Sequence, residues 1–217
     1  MVITYHGGEF FKVSFADTTV AINPISKESK LSSARFGADI AIVSLNDKDF
    51  NGVEQVTHGD KEPFAILGPG EYEVKKVFIK GLQSMSGYGG SERINTIYSI
   101  MLEGMNLVFL GALNSNKLNA DVKEALGEID ILFLPIGGDG VLNTADAHAL
   151  AVDLEPKIVI PMHYGDIENP PAGGGKETAL AKFLKEDGSE NGKPVDKLTI
   201  KKKDLDGKEG EIVVLKT

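Results

Sequence analysis

The sequence predicts an α/β protein in which two β-sheets pack together and helices cover their outer faces. Short strand-like apolar runs dominate the first half of the 217 residues. Helix-like and strand-like segments alternate in the second half, and Pro24, Pro135 and Pro161 close predicted strands. No internal repeat and no linker is visible, so we expect residues 1–217 to form one domain.

The strands of the first half follow from their periodicity and from the turns between them. Residues 10–15 alternate as in a half-buried strand, and the short turn before residues 19–22 predicts a hairpin. The continuous apolar run 40–43 is typical of a strand buried on both faces. The remaining apolar runs predict strands at 63–67, 77–79, 97–102 and 106–110. The Gly- and Ser-rich residues 84–93 predict a long loop between two of these strands.

The second half predicts helices between buried strands. Helices are expected at 119–126 and 144–154, with Asn119 and Thr144 as their N-caps. Strands are expected at 129–134 and 158–160. After a Pro- and Gly-rich loop at 169–175, the remaining predicted elements are a helix at 176–185 and strands at 198–202 and 211–215.

Composition excludes several functions. The formal net charge of −9 disfavours binding to a phosphate backbone, so we expect no nucleic-acid partner. No apolar run reaches the roughly 18 residues that span a bilayer, and the N-terminus lacks the pattern of a signal peptide. We therefore expect a cytoplasmic protein with no membrane association and an undetermined oligomeric state. A small molecule remains as the candidate partner.

The supply of metal ligands is limited. The chain has no cysteine, which excludes disulfides and thiolate metal sites together. Any metal must therefore be held by Asp, Glu or one of the four histidines. These are His6, His58, His148 and His163.

Several motifs in a fixed order resemble those of a known family. Two of them follow predicted inner strands: Leu134-Pro135-Ile136-Gly137-Gly138 and Ile160-Pro161-Met162-His163-Tyr164. Others agree in order and spacing: Ile3-Thr4-Tyr5-His6-Gly7-Gly8, Ile22-Asn23-Pro24, Pro69-Gly70-Glu71-Tyr72-Glu73-Val74 and Gly127-Glu128-Ile129-Asp130. From residue 3 to about residue 165, the chain resembles the lactonase-like, Zn-dependent hydrolase-like branch of the metallo-β-lactamase superfamily. The resemblance implies an αββα sandwich.

The same resemblance assigns seven positions to the metal ligands of that family. In this chain they are Leu45, Asp47, Asp49, Phe50, Ser86, Ala112 and His163. Only Asp49 and His163 agree with the family pattern, while Asp47 keeps an oxygen donor. The family's Gly-His near the start is Gly7-Gly8 here.

These replacements predict a degenerate metal site. A two-metal centre needs three or four donors for each ion, which leucine, phenylalanine and alanine cannot supply. We expect Leu45 and Phe50 to be buried and to fill the former site. We accordingly expect no cofactor and assign no catalytic residue.

The remaining candidate residues each have two interpretations. His163 is either a retained metal ligand or general base, or a ring hydrogen-bonded to a neighbour such as Asp49. Asp49 either binds metal or caps its own loop, and Asp47 belongs to the same acidic segment. Arg93 is a candidate binding residue for an anionic ligand, or else a solvated loop arginine.

Three functional hypotheses remain open. The first is a non-catalytic member of the superfamily, retained for binding or for a structural role. The alternative is a metal-dependent hydrolase with a reduced, mononuclear site. In that case Asp47, Asp49 and His163 hold one weakly bound divalent metal such as zinc and act on a small-molecule ester, lactone or phosphoester. The third is a metal-independent hydrolase, although no Ser-His-acid arrangement can be read from the sequence.

Overall fold

The computed structural model describes residues 1–60, 62–164, 178–189 and 192–217. Its strands, in chain order, are β1 Val2–Tyr5, β2 Phe11–Phe15, β3 Thr18–Ile22, β4 Ile40–Ile42, β5 Phe64–Ile66, β6 Gly70–Val74, β7 Val77–Ser86, β8 Arg93–Leu102, β9 Met105–Phe109, β10 Ile131–Pro135, β11 Ile158–Met162, β12 Leu198–Thr199 and β13 Glu211–Ile212. Its helices are α1 Ala120–Leu126, α2 Thr144–Leu154 and α3 Ala179–Asp187. Short 3₁₀ helices span Val53–Val56, Tyr88–Gly90 and Lys202–Leu205.

The strands form two mixed sheets that face each other, which confirms the predicted α/β sandwich. The first sheet has the order β12-β1-β2-β3-β4-β5 and the second has the order β13-β11-β10-β9-β8-β7-β6. The inner faces of both sheets share one apolar core. Phe11 of the first sheet meets Phe133 of the second with ring centroids 4.8 Å apart. This contact joins the two layers at their centre.

The three helices cover the outer face of the second sheet. Leu126 of α1, Leu150 of α2 and Phe183 of α3 pack in one cluster with outward residues of the central strands. The first sheet has a lighter cover. The cluster behind it includes Phe10, Ile25, Ala38 and Val56, of which Val56 belongs to a 3₁₀ helix. Small residues on that face, such as Ala41 of β4, let irregular chain pack closely against it.

Several element boundaries differ from those predicted, and side-chain hydrogen bonds account for those at the 84–93 loop and at the start of α2. The predicted loop at 84–93 is only six residues long, because β7 extends to Ser86 and β8 already begins at Arg93. Buried Asn95 makes this possible, since its side-chain amide donates to Ser84 Oγ at 2.8 Å. Helix α2 is capped by Asn143, which accepts from the backbone N–H of Asp146, and not by Thr144.

The predicted strand at 198–202 ends at Thr199, and a 3₁₀ helix begins at Lys202. The Lys202 ammonium donates to both carboxylate oxygens of buried Asp130, at 2.7 and 2.9 Å. The predicted loop at 169–175 and the first residues of the predicted last helix lie outside the described residues. Among the residues that are described, no helix is long and apolar enough to cross a membrane.

Candidate functional site

The candidate site is a cavity of about 430 Å³ at one end of the sandwich. A cavity of this size suits a small molecule. Glu9, Asp49, Tyr88 and His163 contribute polar groups to its wall. They lie in the β1–β2, β4–β5 and β7–β8 connections and just after β11, so the fold brings together side chains that are far apart in sequence.

His163 is held at the wall of this cavity from both its backbone and its ring. It follows the last residue of β11 with a left-handed φ of 60°. Its backbone N–H donates to the carbonyl of Gly8 at 2.9 Å, and its Nδ1 lies 2.9 Å from Oε1 of Glu9. The suggestion from the sequence that Asp49 is the partner of the ring is therefore wrong, because Glu9 occupies that position.

Gly137 lies where two of the sequence motifs contact each other in the fold. The register Pro135↔Met162 places the turns after β10 and β11 side by side. A Cβ added at Gly137 would lie 1.8 Å from the carbonyl oxygen of His163. Only glycine allows this approach, so the glycine of one motif sets the position of the histidine of the other.

Asp47 and Asp49 have different roles in their loop. Asp47 Oδ1 accepts from the backbone N–H of Asp49 at 3.1 Å, so Asp47 provides the cap that the sequence assigned to Asp49. Asp49 instead accepts through Oδ1 from the hydroxyl of Ser29 and through Oδ2 from the hydroxyl of Tyr88, the latter at 2.6 Å. Of the two carboxylates, only that of Asp49 lines the cavity.

Tyr88 connects the Asp49 carboxylate to the aromatic part of the wall. Its ring meets Phe50 and His163 edge to face, with centroid distances of 4.9 and 5.4 Å. Burial, and then the hydrogen bond to Asp49, raise the pKa of Tyr88 well above its ordinary value. The phenol therefore remains protonated and stays a donor to Asp49.

Arg93 fastens the neighbouring loop. Its Nη1 pairs with Asp47 Oδ2 at 3.0 Å and its Nη2 donates to the Tyr88 carbonyl at 2.6 Å. The side chain is 29% exposed, and its Nε is buried with no hydrogen-bond partner among the described residues. The arginine thus holds the segments of Asp47 and Tyr88 together, and a role in gripping an anionic ligand stays a prediction.

Apolar side chains occupy three of the seven positions assigned to metal ligands. Leu45, Phe50 and Ala112 form one cluster with Val141, against which Tyr88 packs. Leu45 and Phe50 are each 2% exposed, which confirms the predicted burial of both residues. Dispersion contacts and exclusion of water therefore replace coordination bonds there.

The donors among the described residues of the cavity are too few for two metal ions. Ser86 is fully buried, and its hydroxyl oxygen accepts from the backbone N–H of Tyr88 at 3.1 Å. Within the described ranges, no three His, Asp or Glu side chains are grouped so as to hold a metal ion. The imidazole of His163 and the carboxylate of Asp49 border the same cavity. Among the described residues, Glu9 and His6 line it as well, and the buried Nε2 of His6 has no hydrogen-bond partner there. In the part of the chain that the structure describes, the residues of the cavity do not fit a two-metal centre, which needs three or four donors for each ion.

Sequence reasoning missed Glu9 and Tyr88. Glu9 is 1% exposed, and its contact with His163 spans 154 positions along the chain. One feature of the sequence does point to Glu9. A glutamate between Gly8 and the apolar pair Phe10-Phe11 is unusual, because a carboxylate in such a setting must find a partner.

The chain matches one family model and is similar in sequence to several named proteins. Residues 2–163 match the family model of the β-lactamase superfamily domain. A UPF0173 metal-dependent hydrolase of Lysinibacillus sphaericus is 26% identical, over 76% of this chain and 85% of that protein. A UPF0173 metal-dependent hydrolase of Pyrococcus abyssi is 29% identical, over 63% of this chain and 58% of that protein.

Solved structures share the architecture. A candidate Zn-dependent hydrolase of the metallo-β-lactamase superfamily from Thermotoga maritima superposes with a TM-score of 0.77 and 26% identity, covering 99% of this chain and 98% of that chain. A metallo hydrolase from Ignicoccus hospitalis superposes with a TM-score of 0.61 and 17% identity, covering 99% and 94%. At that identity the second likeness concerns the fold alone.

The expectation of no cofactor is wrong. Relatives along most of the chain are named metal-dependent hydrolases, and the Thermotoga maritima protein is described as a candidate Zn-dependent hydrolase. These findings indicate a metal cofactor and not its absence. The lost ligand positions do not exclude a metal, because an ion can be held by fewer protein donors when solvent or substrate supplies the rest.

Proposed function

Because this chain belongs to the metallo-β-lactamase superfamily, we propose that it is a metal-dependent hydrolase with a reduced, single-metal site. The observation that carries the proposal is the meeting of His163 and Asp49 at one cavity. The names of the relatives support metal-dependent hydrolysis as the type of chemistry. The substrate class is a small-molecule ester, lactone or phosphoester, in keeping with a cavity of about 430 Å³.

His163 and Asp49 are the residues that would hold the ion. A bound divalent ion supplies Lewis-acid polarisation of a carbonyl or phosphoryl oxygen. Asp47 is not part of this set, because its carboxylate is paired with Arg93 and caps Asp49. Phe50 and Tyr88 form an apolar and aromatic wall beside the donors, which lowers the local dielectric and strengthens electrostatic interactions in the cavity.

Thermal melting with and without added Zn²⁺ or Mn²⁺ tests the metal site. A ligand that binds only the folded state raises the melting temperature by mass action. We expect this rise in the wild type and its loss in His163→Asn and in Asp49→Asn. Asp121→Asn is the matched control, since Asp121 is exposed on α1 and is not part of the cavity wall. The absence of any metal-dependent rise in the wild type would contradict the proposal.

Hydrolysis assays test the reaction itself. The metal-loaded wild type is offered panels of carboxylic esters, lactones and phosphoesters, and we expect turnover in one class. His163→Asn and Asp49→Asn should lose that activity while Asp121→Asn keeps it. Metal binding without turnover of any class would contradict the hydrolase assignment.

A specific observation favours a second candidate function. The cluster of Leu45, Phe50 and Ala112 fills part of the region where the family holds its ions, as expected of a scaffold kept for binding a small molecule without turnover. In that case a ligand of the cavity should stabilise the wild type. The stabilisation should survive His163→Asn but not a substitution that blocks the cavity, such as Leu31→Trp at a partly exposed residue of its wall.

A further inference from the structure

Glu9 is a buried carboxylate that the proposed chemistry does not yet use. Its side chain is fully buried. Oε1 lies 2.9 Å from His163 Nδ1, and Oε2 accepts from Asn23 Nδ2 at 3.0 Å. Burying a carboxylate is costly unless its oxygens are satisfied. Such a residue is expected to serve the group that it contacts.

The orientation of the Asn23 amide is fixed independently of Glu9. Its Oδ1 accepts from the backbone N–H of Ser44 at 2.8 Å, and a backbone N–H can only donate. The other end of the amide, Nδ2, must therefore face Glu9, and it also donates to Ser44 Oγ at 2.8 Å. Asn23 is itself fully buried, so water does not compete for these contacts.

The chain of donors and acceptors continues to the histidine ring. An ionised carboxylate offers only acceptors, so the His163 nitrogen that faces Glu9 must carry a proton. The Nδ1–H of His163 then donates to Glu9 Oε1. In the neutral ring this leaves the lone pair on Nε2, the nitrogen not engaged by Glu9.

We propose that Glu9, oriented by Asn23, is a positioning residue that fixes His163 in its Nδ1–H tautomer and leaves the Nε2 lone pair for the cavity. The use of that lone pair for holding a metal ion rests on the proposed function, whereas the tautomer itself does not. A carboxylate behind a ligating imidazole also makes the imidazole a better donor. Glu9 would then support the only imidazole of the two-donor set.

The side-chain ¹⁵N NMR spectrum of the metal-free protein tests the tautomer directly. The four histidines give four ring patterns, and the His163 pattern is the one missing from His163→Asn. At a pH of about 9, well above the ordinary histidine pKa, we expect a protonated-type Nδ1 and a lone-pair-type Nε2. A lone-pair-type Nδ1, or a doubly protonated ring at that pH, would overturn the proposal.

Glu9→Gln provides the decisive variant. A glutamine offers one acceptor and one donor, and the Asn23 donor demands the acceptor. The glutamine NH₂ should then face His163 Nδ1 and convert the ring to its Nε2–H tautomer. Glu92→Gln, on an exposed residue, is the matched control and should leave the ring unchanged. An unchanged His163 pattern in folded Glu9→Gln would also overturn the proposal, and if this variant fails to fold, the wild-type spectrum still decides the question.

Metal binding separates this inference from the proposed function. Glu9→Gln should reduce the metal-dependent rise in melting temperature, because the tautomer that it favours has no lone pair on Nε2. If the wild-type tautomer is as expected but no metal binds, the proposed function fails and the role of Glu9 stands. If metal binds and His163 is found in the other tautomer, the role of Glu9 fails alone.

Discussion

Phe50 lies edge to face against Tyr88 with ring centroids 4.9 Å apart, at a position where the family places a metal ligand. The pair is the centre of the apolar cluster beside the cavity. Its contribution to folding can be measured separately from any effect on metal binding, because Phe50 has no donor atom.

We expect Phe50→Ala to lower the free energy of unfolding by about 3–5 kcal/mol, as for other truncations of buried phenylalanine. Chemical denaturation monitored by circular dichroism measures this. Phe64→Ala is the control. That residue is 51% exposed on an edge strand, and its loss should cost less than about 1 kcal/mol, the span of strand propensities. Equal losses in both variants would show that the cluster around Phe50 is not packed as described.

Tyr88→Phe should keep the contact with Phe50 and remove only the hydroxyl that donates to Asp49. We expect a loss of roughly 1.5–3 kcal/mol, the usual worth of a hydrogen bond to a charged group. A double-mutant cycle with Asp49→Asn isolates the pair. A coupling energy near zero would mean that the hydroxyl and the carboxylate do not interact in solution.

The histidine at position 6 predicts a pH dependence of stability. Burial, and then the positive charge of Lys12, lower the pKa of His6. Between this folded value and the unfolded value of about 6.5, the unfolded chain binds more protons. The stability that the neutral His6 ring contributes is therefore present above the pKa of the unfolded chain. It is lost as the pH falls towards the lower pKa of the folded protein.

His6→Phe should remove this dependence, since a phenyl ring can take the place of the imidazole beside Phe10 and Phe36. Denaturation curves at pH 7 and at pH 5 give the comparison. The variant should lose less stability than the wild type between the two pH values. An identical loss in both proteins would show that His6 titrates in the fold as it does in the unfolded chain.

Asp130 predicts a second pH dependence, on the acid side. Burial acts to raise its pKa, but the hydrogen bonds from Lys202, from the Asn106 backbone and from Lys157 outweigh it and lower the pKa below its ordinary value. The stability that Asp130 contributes is thus present above the unfolded pKa of about 3.9 and is lost as the pH falls through the folded value.

Asp130→Asn should therefore lower stability at pH 7, by roughly 1.5–3 kcal/mol for hydrogen bonds to a charged group, and should flatten the loss of stability below about pH 4. Asp121→Asn, on exposed residue 121 of α1, serves as control and should change neither quantity. If the stability of Asp130→Asn falls with acid pH as steeply as that of the wild type, other carboxylates are responsible for the acid sensitivity.

Much of the fold was predictable because its signals are local. The continuous apolar run at 40–43 and the prolines at 135 and 161 mark strands that the structure contains. The boundaries that failed depend on tertiary contacts. Ser84 and Ser86 read as loop residues, yet they lie in β7 because Asn95 on the neighbouring strand bonds across to Ser84.

The site was predictable only where the family motifs reach it. Burial of Leu45 and Phe50 followed from the replaced ligand positions. The Glu9–His163 contact did not, because it depends on how two turns from different sheets meet. The need for a metal was also misjudged, since a count of ligand positions does not show how many donors an ion requires.

The close approach of Gly137 to the His163 carbonyl has a consequence for exchanging parts between relatives. The two turns fit each other as a matched pair, with less room than a single methyl group between them. A chimaera that takes one turn from another protein and keeps the other would combine surfaces that were never adjusted to each other. Crossover points placed before residue 131 or after residue 164 keep this pair of turns intact, but the contacts of His163 with Gly8 and Glu9 also require that the first turn of the chain comes from the same parent.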